Sequence, residues 1–412
     1  MKKSFLALAS LSAFTVAAHA QSSVTIYGII DEAFVATSNA DLSRATATTA
    51  AVGARRYYLD GSFGLNGTRW GFKGMEDLGG GLKAVFVLEN GFNPNTGGAS
   101  QGGLEFGRQA FAGLSSDRYG TVTLGRQYDS VVDYIGPLIF GDQIGSSFSA
   151  HPADLDNSNN AQRVNNAVKY TSANYNGLTF GGLYSFGGVA GQFSRNQIYS
   201  LGAHYGNGPV NLATAYLHVK DPNTSFFSNS ALSSGIGAPA AGGTSITSPV
   251  YSGYMSANSY QVISAAGAYT VGPVVLGLVY ANTQFQNLDS GQSGVTLSAA
   301  TPVGTATFNT VEATATYHLT PALSAGVDYS FTKSNTVTTA KGAAAGGARY
   351  NQFAASVDYA LSKRTDVYAL ASYQVASGTD STGQAAVASI NGLTPSSNGR
   401  QAVTRIGLRV KF

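Results

Sequence analysis

Residues 311–331 read VEATATYHLTPALSAGVDYSF and contain two alternating runs that are joined by a short turn. In LSAGVDYSF, residues 323–331, apolar or aromatic side chains occupy every second position, and small or polar ones stand between them. VEATATYHL, residues 311–319, repeats the pattern, and only three residues separate the two runs. This period of two predicts a pair of antiparallel strands with one apolar face and one polar face.

The composition extends this prediction to the whole chain of 412 residues. Charged residues make up only 11%, whereas soluble domains carry about 25%. Glycine (51), tyrosine (23) and phenylalanine (21) are abundant, as is typical of strands and turns. No apolar run after residue 20 reaches the roughly 20 residues of a membrane-spanning helix. The chain has no cysteine, which excludes a disulfide framework and a thiol nucleophile.

The first twenty residues, MKKSFLALASLSAFTVAAHA, have the pattern of a secretory signal peptide. Lys2 and Lys3 precede an apolar stretch, and Ala18-His19-Ala20 fits a small-x-small cleavage site. We therefore expect residues 1–20 to be removed and residues 21–412 to form the mature protein. Loss of the two lysines would lower the formal net charge from +3 to +1.

The connections between alternating runs fall into two classes. Some are tight turns, such as Asp117 to Gly120, and the others are long and rich in glycine, serine and asparagine. The long connections cover approximately residues 37–60, 92–104, 129–161, 188–195, 220–258, 287–304, 334–348 and 377–399. This asymmetry is typical of an outer-membrane barrel, which has short periplasmic turns and long extracellular loops.

The alternating segments number sixteen, and an even number lets the sheet close so that no strand edge meets hydrocarbon. The predicted fold is all-β, a 16-stranded antiparallel transmembrane β-barrel with an apolar outer face and a polar lumen. The predicted strands cover residues 23–36, 61–75, 82–91, 105–116, 121–128, 162–174, 178–187, 196–206, 210–219, 259–270, 274–286, 305–319, 323–333, 349–362, 366–376 and 400–412.

Three segments resemble the general porins of Gram-negative bacteria, especially the neisserial and burkholderial branch of that family. They are TRWGFKGMEDLGGGLKAVFVLENGF (68–92), GRQAFAGLSSDRYGTVTLGRQYD (107–129) and RVNNAVKYTSANYNGLTFGGLYSF (163–186). The resemblance implies a sixteen-stranded barrel in the outer membrane, usually a homotrimer, that passes ions and small hydrophilic solutes passively. It also implies that the third long loop, about residues 129–161, folds into the lumen and narrows the pore.

The resemblance also has implications for partners and assembly. It implies contact with outer-membrane lipid and lipopolysaccharide, and insertion by the barrel-assembly machinery. We expect no nucleic-acid partner, no cofactor and no metal. The chain ends with TRIGLRVKF, residues 404–412, and its final aromatic, Phe412, is similar to the signal that this machinery reads.

The third loop contains residues of two kinds. It carries Asp129, Asp133 and Asp142, with no lysine or arginine before Arg163, together with apolar residues that a solvated loop would not favour. The register of the family motif favours Asp142 as the acidic constriction residue, with Asp133 second. Gly-Asp-Gln stands here in place of the Pro-Glu-Phe-Gly of enteric porins. An exposed acidic loop is the alternative interpretation.

Basic residues on the neighbouring strands are predicted to face this loop. With Trp70 and Phe72 outside, Phe111 outside, and Val164, Val168 and Tyr170 outside, five basic side chains fall on the lumen side: Arg69, Lys73, Arg108, Arg163 and Lys169. Arg126 shares its parity with apolar Val122 and Leu124, so it points inward only if the strand bulges or the membrane band has ended. The resemblance implies the same wall of basic residues.

Arginines that face carboxylates across water create a transverse field, and low-dielectric walls strengthen it. Several inward arginines and a near-neutral total charge predict a mild anion preference. A substrate-specific channel, an outer-membrane enzyme and an adhesin are the alternatives. The chain is not expected to be an enzyme, because His151, His204, His218 and His318 lie in unrelated segments and no Gly-x-Ser-x-Gly motif is present.

Overall fold

The computed structural model describes residues 23–43, 50–227, 248–289 and 297–412, so the expected signal peptide lies outside the described residues. No helix within these ranges is long and apolar enough to cross a membrane. The strands are β1 Ser23–Ser43, β2 Val52–Asp60, β3 Arg69–Gly79, β4 Leu82–Gly91, β5 Gln109–Ser116, β6 Gly120–Gln127, β7 Val164–Thr171, β8 Leu178–Ser185, β9 Ile198–Asn207, β10 Val210–Lys220, β11 Ser259–Val271, β12 Val274–Leu288, β13 Pro302–His318, β14 Leu323–Ser334, β15 Thr336–Thr339, β16 Ala344–Gly346, β17 Arg349–Ala360, β18 Thr365–Ser377 and β19 Arg400–Lys411.

Helical structure in these ranges is limited to single turns within connections. They are Gln101–Gly103, Val131–Ile135, Gly136–Leu138, Gly141–Gly145, Ser147–Ser149, Pro152–Asp154, α1 Pro222–Ser225 and Ser252–Tyr254. Five of these eight turns lie in the connection between β6 and β7. That connection therefore has more internal structure than an ordinary loop.

The strands form a closed antiparallel ring. Most strands pair with the next one in sequence, β14 pairs with β17, and β19 returns to β1 with Ile29 opposite Lys411. Both β2 and β3 pair with β1, so they act as one interrupted strand, while β15 and β16 form a hairpin within the connection after β14. In the described part of the chain the barrel thus has sixteen strands, as predicted, and the ring that they form is closed.

The second strand differs from the prediction. We expected it at residues 61–75, after a loop over residues 37–60. Instead β1 extends to Ser43, the strand resumes at Val52, and residues 61–68 leave the ladder between β2 and β3. We call residues 61–68 the wall insert.

The two faces of most strands follow the alternation. On β19, Ile406 is 66% exposed on the outer face, whereas Arg405 is fully buried on the inner face. The inner face of neighbouring strands continues with Gln352 and Gln374, whose side chains bond each other at 2.7 Å. An apolar face toward lipid and a polar face toward the lumen explain this division.

The inner face of β10 is an exception. Ala213, Ala215, Leu217 and Val219 point inward and are buried in the largest apolar cluster of the described structure. The expectation of a polar lumen is therefore wrong on this side of the barrel. The reason is that the connection between β6 and β7 covers this wall and needs an apolar surface to pack against.

Candidate functional site

Residues 128–163, here called the constriction loop, fold into the barrel. The turn Val131–Ile135 contacts β9, β10 and β11, and the turn Gly141–Gly145 contacts β14 and β17. Val131, Ile135, Ile139 and Phe140 are completely or almost completely buried there. The loop therefore crosses the lumen and is held mainly by burial of apolar side chains.

Polar contacts fix the backbone of the constriction loop to the wall. The Phe140 amide donates to Oε1 of Glu312 at 2.7 Å. Gln352 donates to the carbonyl of Ala150 at 2.9 Å, and the Tyr260 hydroxyl donates to the carbonyl of Leu155 at 2.7 Å. These bonds satisfy backbone groups that burial would otherwise leave without partners.

His151 joins the constriction loop to the barrel wall. Its Nδ1 lies 2.6 Å from Oδ2 of Asp156 in the loop, and its Nε2 lies 2.8 Å from Oε2 of Glu312 on β13. Burial alone would lower the pKa of His151, but the two carboxylates outweigh burial and hold its pKa well above the ordinary value. The sequence did not predict this cluster, because Glu312 lies far along the chain from His151 and Asp156.

The wall insert faces the constriction loop from the opposite wall. Asp60 accepts bonds from the backbone amides of Ser62 and Phe63, at 3.2 and 3.0 Å. At its other end, Thr68 exchanges hydrogen bonds with the backbone of Asp31 at 3.0 and 3.1 Å. The Phe63 ring stacks on Phe148 of the constriction loop, with 6.2 Å between ring centroids. The two inward segments therefore touch each other.

A fully buried arginine supports the wall insert. Arg405 forms ion pairs with Asp60 and with Asp31, the latter at 3.2 Å, and its Nε donates to Tyr368 at 2.6 Å. A Cβ at Gly64 would lie only 2.2 Å from the Asp31 carboxylate, so the wall insert passes close over that carboxylate. We call Arg405, Asp31, Asp60 and Tyr368 the Arg405 cluster. A buried charge needs such partners to offset its lost hydration.

A cavity of about 570 Å³ lies between the constriction loop, the wall insert and the basic wall. Five predicted residues line it together: Arg69, Arg108, Arg163, Asp133 and Asp142. The remaining lining includes Ser62 to Gly67 of the wall insert and Asn391 from the connection between β18 and β19. Cations and carboxylates thus meet around one polar passage inside the barrel.

Glu89 on β4 is the acidic partner of two arginines in the basic wall. Its Oε1 is 2.7 Å from Nε of Arg108 and 4.0 Å from Nη1 of Arg69, and its Oε2 accepts from the Tyr27 hydroxyl at 3.0 Å. The sequence analysis did not select Glu89. The alternation in LKAVFVLE contains the signal, because Glu89 shares its parity with Lys83 and not with Leu82 and Leu88.

Tyr128 organises the other basic residues. Its hydroxyl accepts from Nη2 of Arg108 at 3.0 Å, and the Arg163 guanidinium lies 5.5 Å from its ring centre. The carbonyl of Tyr128 accepts from Nζ of Lys169 at 3.1 Å, and Lys169 also pairs with Asp133. Asp133 is therefore partly neutralised within the wall.

Asp142 faces Arg69 and Arg108 across the cavity. Its Oδ1 accepts from Asn159 at 2.8 Å. Burial raises the pKa of Asp142 to about 6, although Arg69 and Arg108 act in the opposite direction. The charge of this carboxylate therefore changes within an accessible pH range.

Besides Lys169, three other predicted constriction residues lie away from the cavity lining. Lys73 is exposed, with its ammonium 5.3 Å from the ring centre of Tyr27. Asp129 is fully buried and accepts from the Val131 amide and from Asn157, both at 2.7 Å, so it shapes the loop. Arg126 lies within the register shift between Gly125 and Gln127, and its Nε donates to the Gly107 carbonyl at 2.8 Å.

Two parity assignments are wrong for related reasons. Phe111 lies opposite Val87 in the ladder, on the inner face that Glu89 shares, and Arg108 reaches the cavity because it precedes β5. Val164 is fully buried inside, because Asn166 has a φ of 52° and shifts the alternation of β7. One irregular residue moves the following side chains to the other face.

The sequence model of a family described as Gram-negative porin matches residues 7–380. The chain belongs to that family. This porin is 37% identical over 233 residues to an outer membrane porin protein of Bordetella pertussis, covering 52% of this chain and 59% of the relative. It is 39% identical over 192 residues to outer membrane porin protein 32 of Delftia acidovorans, covering 45% and 50%. The matches thus span about half the length of these curated relatives.

Solved structures show the same fold. An anion-selective porin from Comamonas acidovorans superposes with a TM-score of 0.68 at 22% identity, covering 95% of this chain and all of that one. The porin is accordingly an outer-membrane protein with a 16-stranded barrel. The family points to a channel rather than to an enzyme.

Proposed function

We propose that this porin forms a water-filled channel for passive diffusion of ions and small hydrophilic solutes across the outer membrane. The observation that carries the proposal is the polar cavity inside a closed barrel, narrowed by the constriction loop from one side and the wall insert from the other. Its charged lining suits hydrated solutes and disfavours apolar ones.

We further propose a mild anion preference. Arg69, Arg108 and Arg163 line the cavity and Lys169 stands behind it, whereas the carboxylates there are Glu89, Asp133 and Asp142. Four cations against three anions leave a small positive excess. Low-dielectric walls strengthen the resulting potential, so anions should be enriched in the passage.

Reversal potentials in a planar bilayer under a KCl gradient test both proposals. Purified folded protein should give stepwise currents and a reversal potential of the sign for anions. The R69Q/R108Q variant should shift that potential toward the value for cations. The control variant K363Q/R364Q changes the exposed turn between β17 and β18 and should leave the potential unchanged. Absence of current would reject the channel, and a cation-selective wild type would reject the anion preference.

We propose that the mature porin begins near Gln21 and assembles as a homotrimer. We place the intersubunit contact on the outer face of β1, where the apolar side chains of Val24 and Ile26 are more than 60% exposed. Intact mass of the protein from outer membranes tests the cleavage, and chemical cross-linking followed by mass analysis tests the trimer. A mass that retains residues 1–20, or cross-linking that stops at dimers, would contradict these proposals.

Phe412 is proposed to act in assembly. Its ring lies over Gly28 of β1, where a Cβ would be 2.3 Å from it, and the two backbones exchange hydrogen bonds at 3.0 Å in both directions. Deleting Phe412 should reduce the folded fraction in outer membranes while leaving the conductance of each folded channel unchanged. Altered unitary conductance with normal yield would contradict this role.

A further inference from the structure

A second cavity lies inside the barrel, beside the constriction loop. Its volume is about 420 Å³, and small-molecule sites span roughly 300–1,000 Å³. Asp133 and Pro137 line both this cavity and the one at the basic wall, so the two spaces lie on either side of these loop residues. Thr171 and Thr179 line the second cavity and flank the short turn between β7 and β8. We call it the periplasmic cavity, because the short turns of an outer-membrane barrel face the periplasm.

One side of the periplasmic cavity is apolar. Tyr134, Pro137 and Leu138 of the constriction loop line it, and Tyr134 and Leu138 are mostly buried. Tyr134 packs against two glycines of the wall. A Cβ at Gly202 would lie 2.3 Å from its ring, and a Cβ at Gly181 would lie 2.7 Å from its hydroxyl. The absence of side chains at these two positions lets Tyr134 lie close to the wall and leaves the cavity beside it open.

The charged lining of the periplasmic cavity is balanced. Among the described residues it contains one ammonium group, from Lys169, and one carboxylate, from Asp133, and the two form an ion pair. Nζ of Lys169 also donates to the carbonyl of Tyr128 at 3.1 Å. Both side chains keep part of their surface exposed, 17% for Lys169 and 25% for Asp133. An ammonium has three donors and a carboxylate about four acceptor sites, so each group can bond a further partner.

Neutral polar groups line the rest of the periplasmic cavity. Thr171 lies on β7, Thr179 on β8 and His204 on β9. Thr179 and His204 are directly opposite each other in the ladder, and Nε2 of His204 is 3.3 Å from Oδ1 of Asn211. The threonine hydroxyls can donate or accept. They can therefore bond polar atoms of a solute that lies beside the ion pair.

We propose that the periplasmic cavity binds zwitterionic α-amino acids that have an apolar, preferably aromatic, side chain. The ammonium of the solute pairs with Asp133, and its carboxylate accepts from Lys169. Both charges of an α-amino acid are attached to one carbon, so they can meet the two members of an existing ion pair at once. The apolar side chain packs against Tyr134, Pro137 and Leu138.

The balance of charge explains why a zwitterion suits this cavity. At the basic wall three arginines line a cavity with two carboxylates, which favours anions. In the periplasmic cavity a simple anion lacks a group for Asp133, and a simple cation lacks a group for Lys169. The inference rests on the proposed channel, in which the periplasmic cavity holds a solute that has passed the constriction.

Saturation-transfer NMR of L-phenylalanine with the folded porin in non-ionic detergent tests the proposal without any current. L-Phenylalanine should bind the wild type. 3-Phenylpropionate and phenethylamine, which each lack one of its charges, should bind roughly tenfold more weakly or worse, since a hydrogen bond to a charged group contributes at least about that factor. Glycine should also bind more weakly, because it leaves the apolar side empty. Equal binding of L-phenylalanine and the single-charge analogues would overturn the proposal, and these arms need no variant.

The variant D133N/K169Q removes both charges and keeps the net charge of the protein. It should bind L-phenylalanine roughly tenfold more weakly than the wild type or worse. The matched control is K83Q/D117N, because Lys83 and Asp117 form a solvent-exposed ion pair of 2.7 Å outside the cavity. The control should bind like the wild type. Equal binding by D133N/K169Q and K83Q/D117N would overturn the role of the ion pair.

A second variant tests the location of the site. T179W fills the periplasmic cavity and leaves the ion pair in place, so it should lose the binding of L-phenylalanine. The control S324W adds the same side chain on β14, where Ser324 shares the inner face with Gly326 near another short turn. S324W should retain binding. Retention of binding by T179W as well would overturn the assignment to this cavity.

Planar-bilayer recordings separate the cavity from the channel. L-Phenylalanine should produce brief blockades of the wild-type current, and these should be absent in T179W and present in S324W. Binding by NMR without any current would support the cavity and reject the channel. Current without binding by NMR would overturn the cavity and leave the channel in place.

Discussion

The constriction loop and the wall insert narrow the same cavity, but different forces hold them in place. The constriction loop is long and fastens itself by burying side chains such as Ile135, Ile139 and Phe140 against the wall. The wall insert is short, lines the water-filled side, and is supported by the charged Arg405 cluster. One barrel thus combines an element that depends on apolar burial with an element that depends on ion pairs, and changes to either should have separable effects.

The largest expected effect comes from removing the charge that supports the wall insert. R405M leaves Asp31 and Asp60 buried without their cation, and breaking such a pair costs about 3–5 kcal/mol. We expect a lower temperature of conversion from folded to heat-denatured form on semi-native gels. The control is R400M, an exposed position on the same strand. Equal thermal stability of R405M and R400M would show that the cluster contributes little.

The F140A substitution should reduce the local stability of the constriction loop by a comparable amount. Phe140 is fully buried, and its ring lies 2.7 Å from the position of a Cβ at Gly326 on β14. Removing such a ring costs about 3–5 kcal/mol. We expect the loop to loosen, so that single-channel recordings show larger current fluctuations at unchanged barrel stability. F193A, at an exposed aromatic position, is the control, and quiet F140A channels would contradict the prediction.

His151 gives a smaller effect with a defined pH dependence. Since its folded pKa is raised above the unfolded value, its ion pairs stabilise the loop fully below the unfolded pKa, and this stabilisation is lost as pH rises through the folded pKa. We therefore expect current fluctuations to increase on the alkaline side of neutrality. H151Q channels should fluctuate at all pH values, with a loss of about 1–3 kcal/mol, because Asp156 and Glu312 lose their charged partner. Fluctuations of the wild type that do not change with pH would remove this role.

Loss of the Asp142 charge should change ion selectivity without changing the stability of the barrel appreciably. Below a pH of about 6 this carboxylate becomes neutral, so the anion preference of the wild type should increase as pH falls from 8 to 5. D142N should show the higher anion preference at both pH values. Reversal potentials measure this, with N391D as an added-charge control at another lining position. If the anion preference of D142N rises as much between pH 8 and 5 as that of the wild type, the titration belongs to another group.

The sequence predicts the barrel well, because apolar and polar residues must alternate in a strand that lies between lipid and water. This alternation is clear in segments such as 311–331. The constriction loop is also predictable, since its length and mixed composition fit neither a turn nor an exposed loop. The wall insert is different. Residues 62–67 read SFGLNG, in which Phe63 and Leu65 continue an apparent alternation, and the residue that supports it, Arg405, lies on the last strand.

The site residues divide in the same way. Arg69 and Lys169 are predictable by parity, because their strands are regular at those positions. Arg126 and Val164 are not predictable in this way, because irregular residues break the alternation of side chains between the two faces. These residues are Gly125, with a φ of 137°, and Asn166, with a φ of 52°. Sequence parity therefore holds between irregular residues and fails across them.

The pairing of β1 with β19 has a consequence for the order of folding. Arg405 comes from β19, whereas its carboxylate partners lie on β1 and β2, at the other end of the chain. Joining the ends of so long a chain has an entropic cost that earlier contacts do not repay. We therefore expect the wall insert to reach its final shape only when the ring closes, so that the lining of the cavity is completed in the last step of assembly.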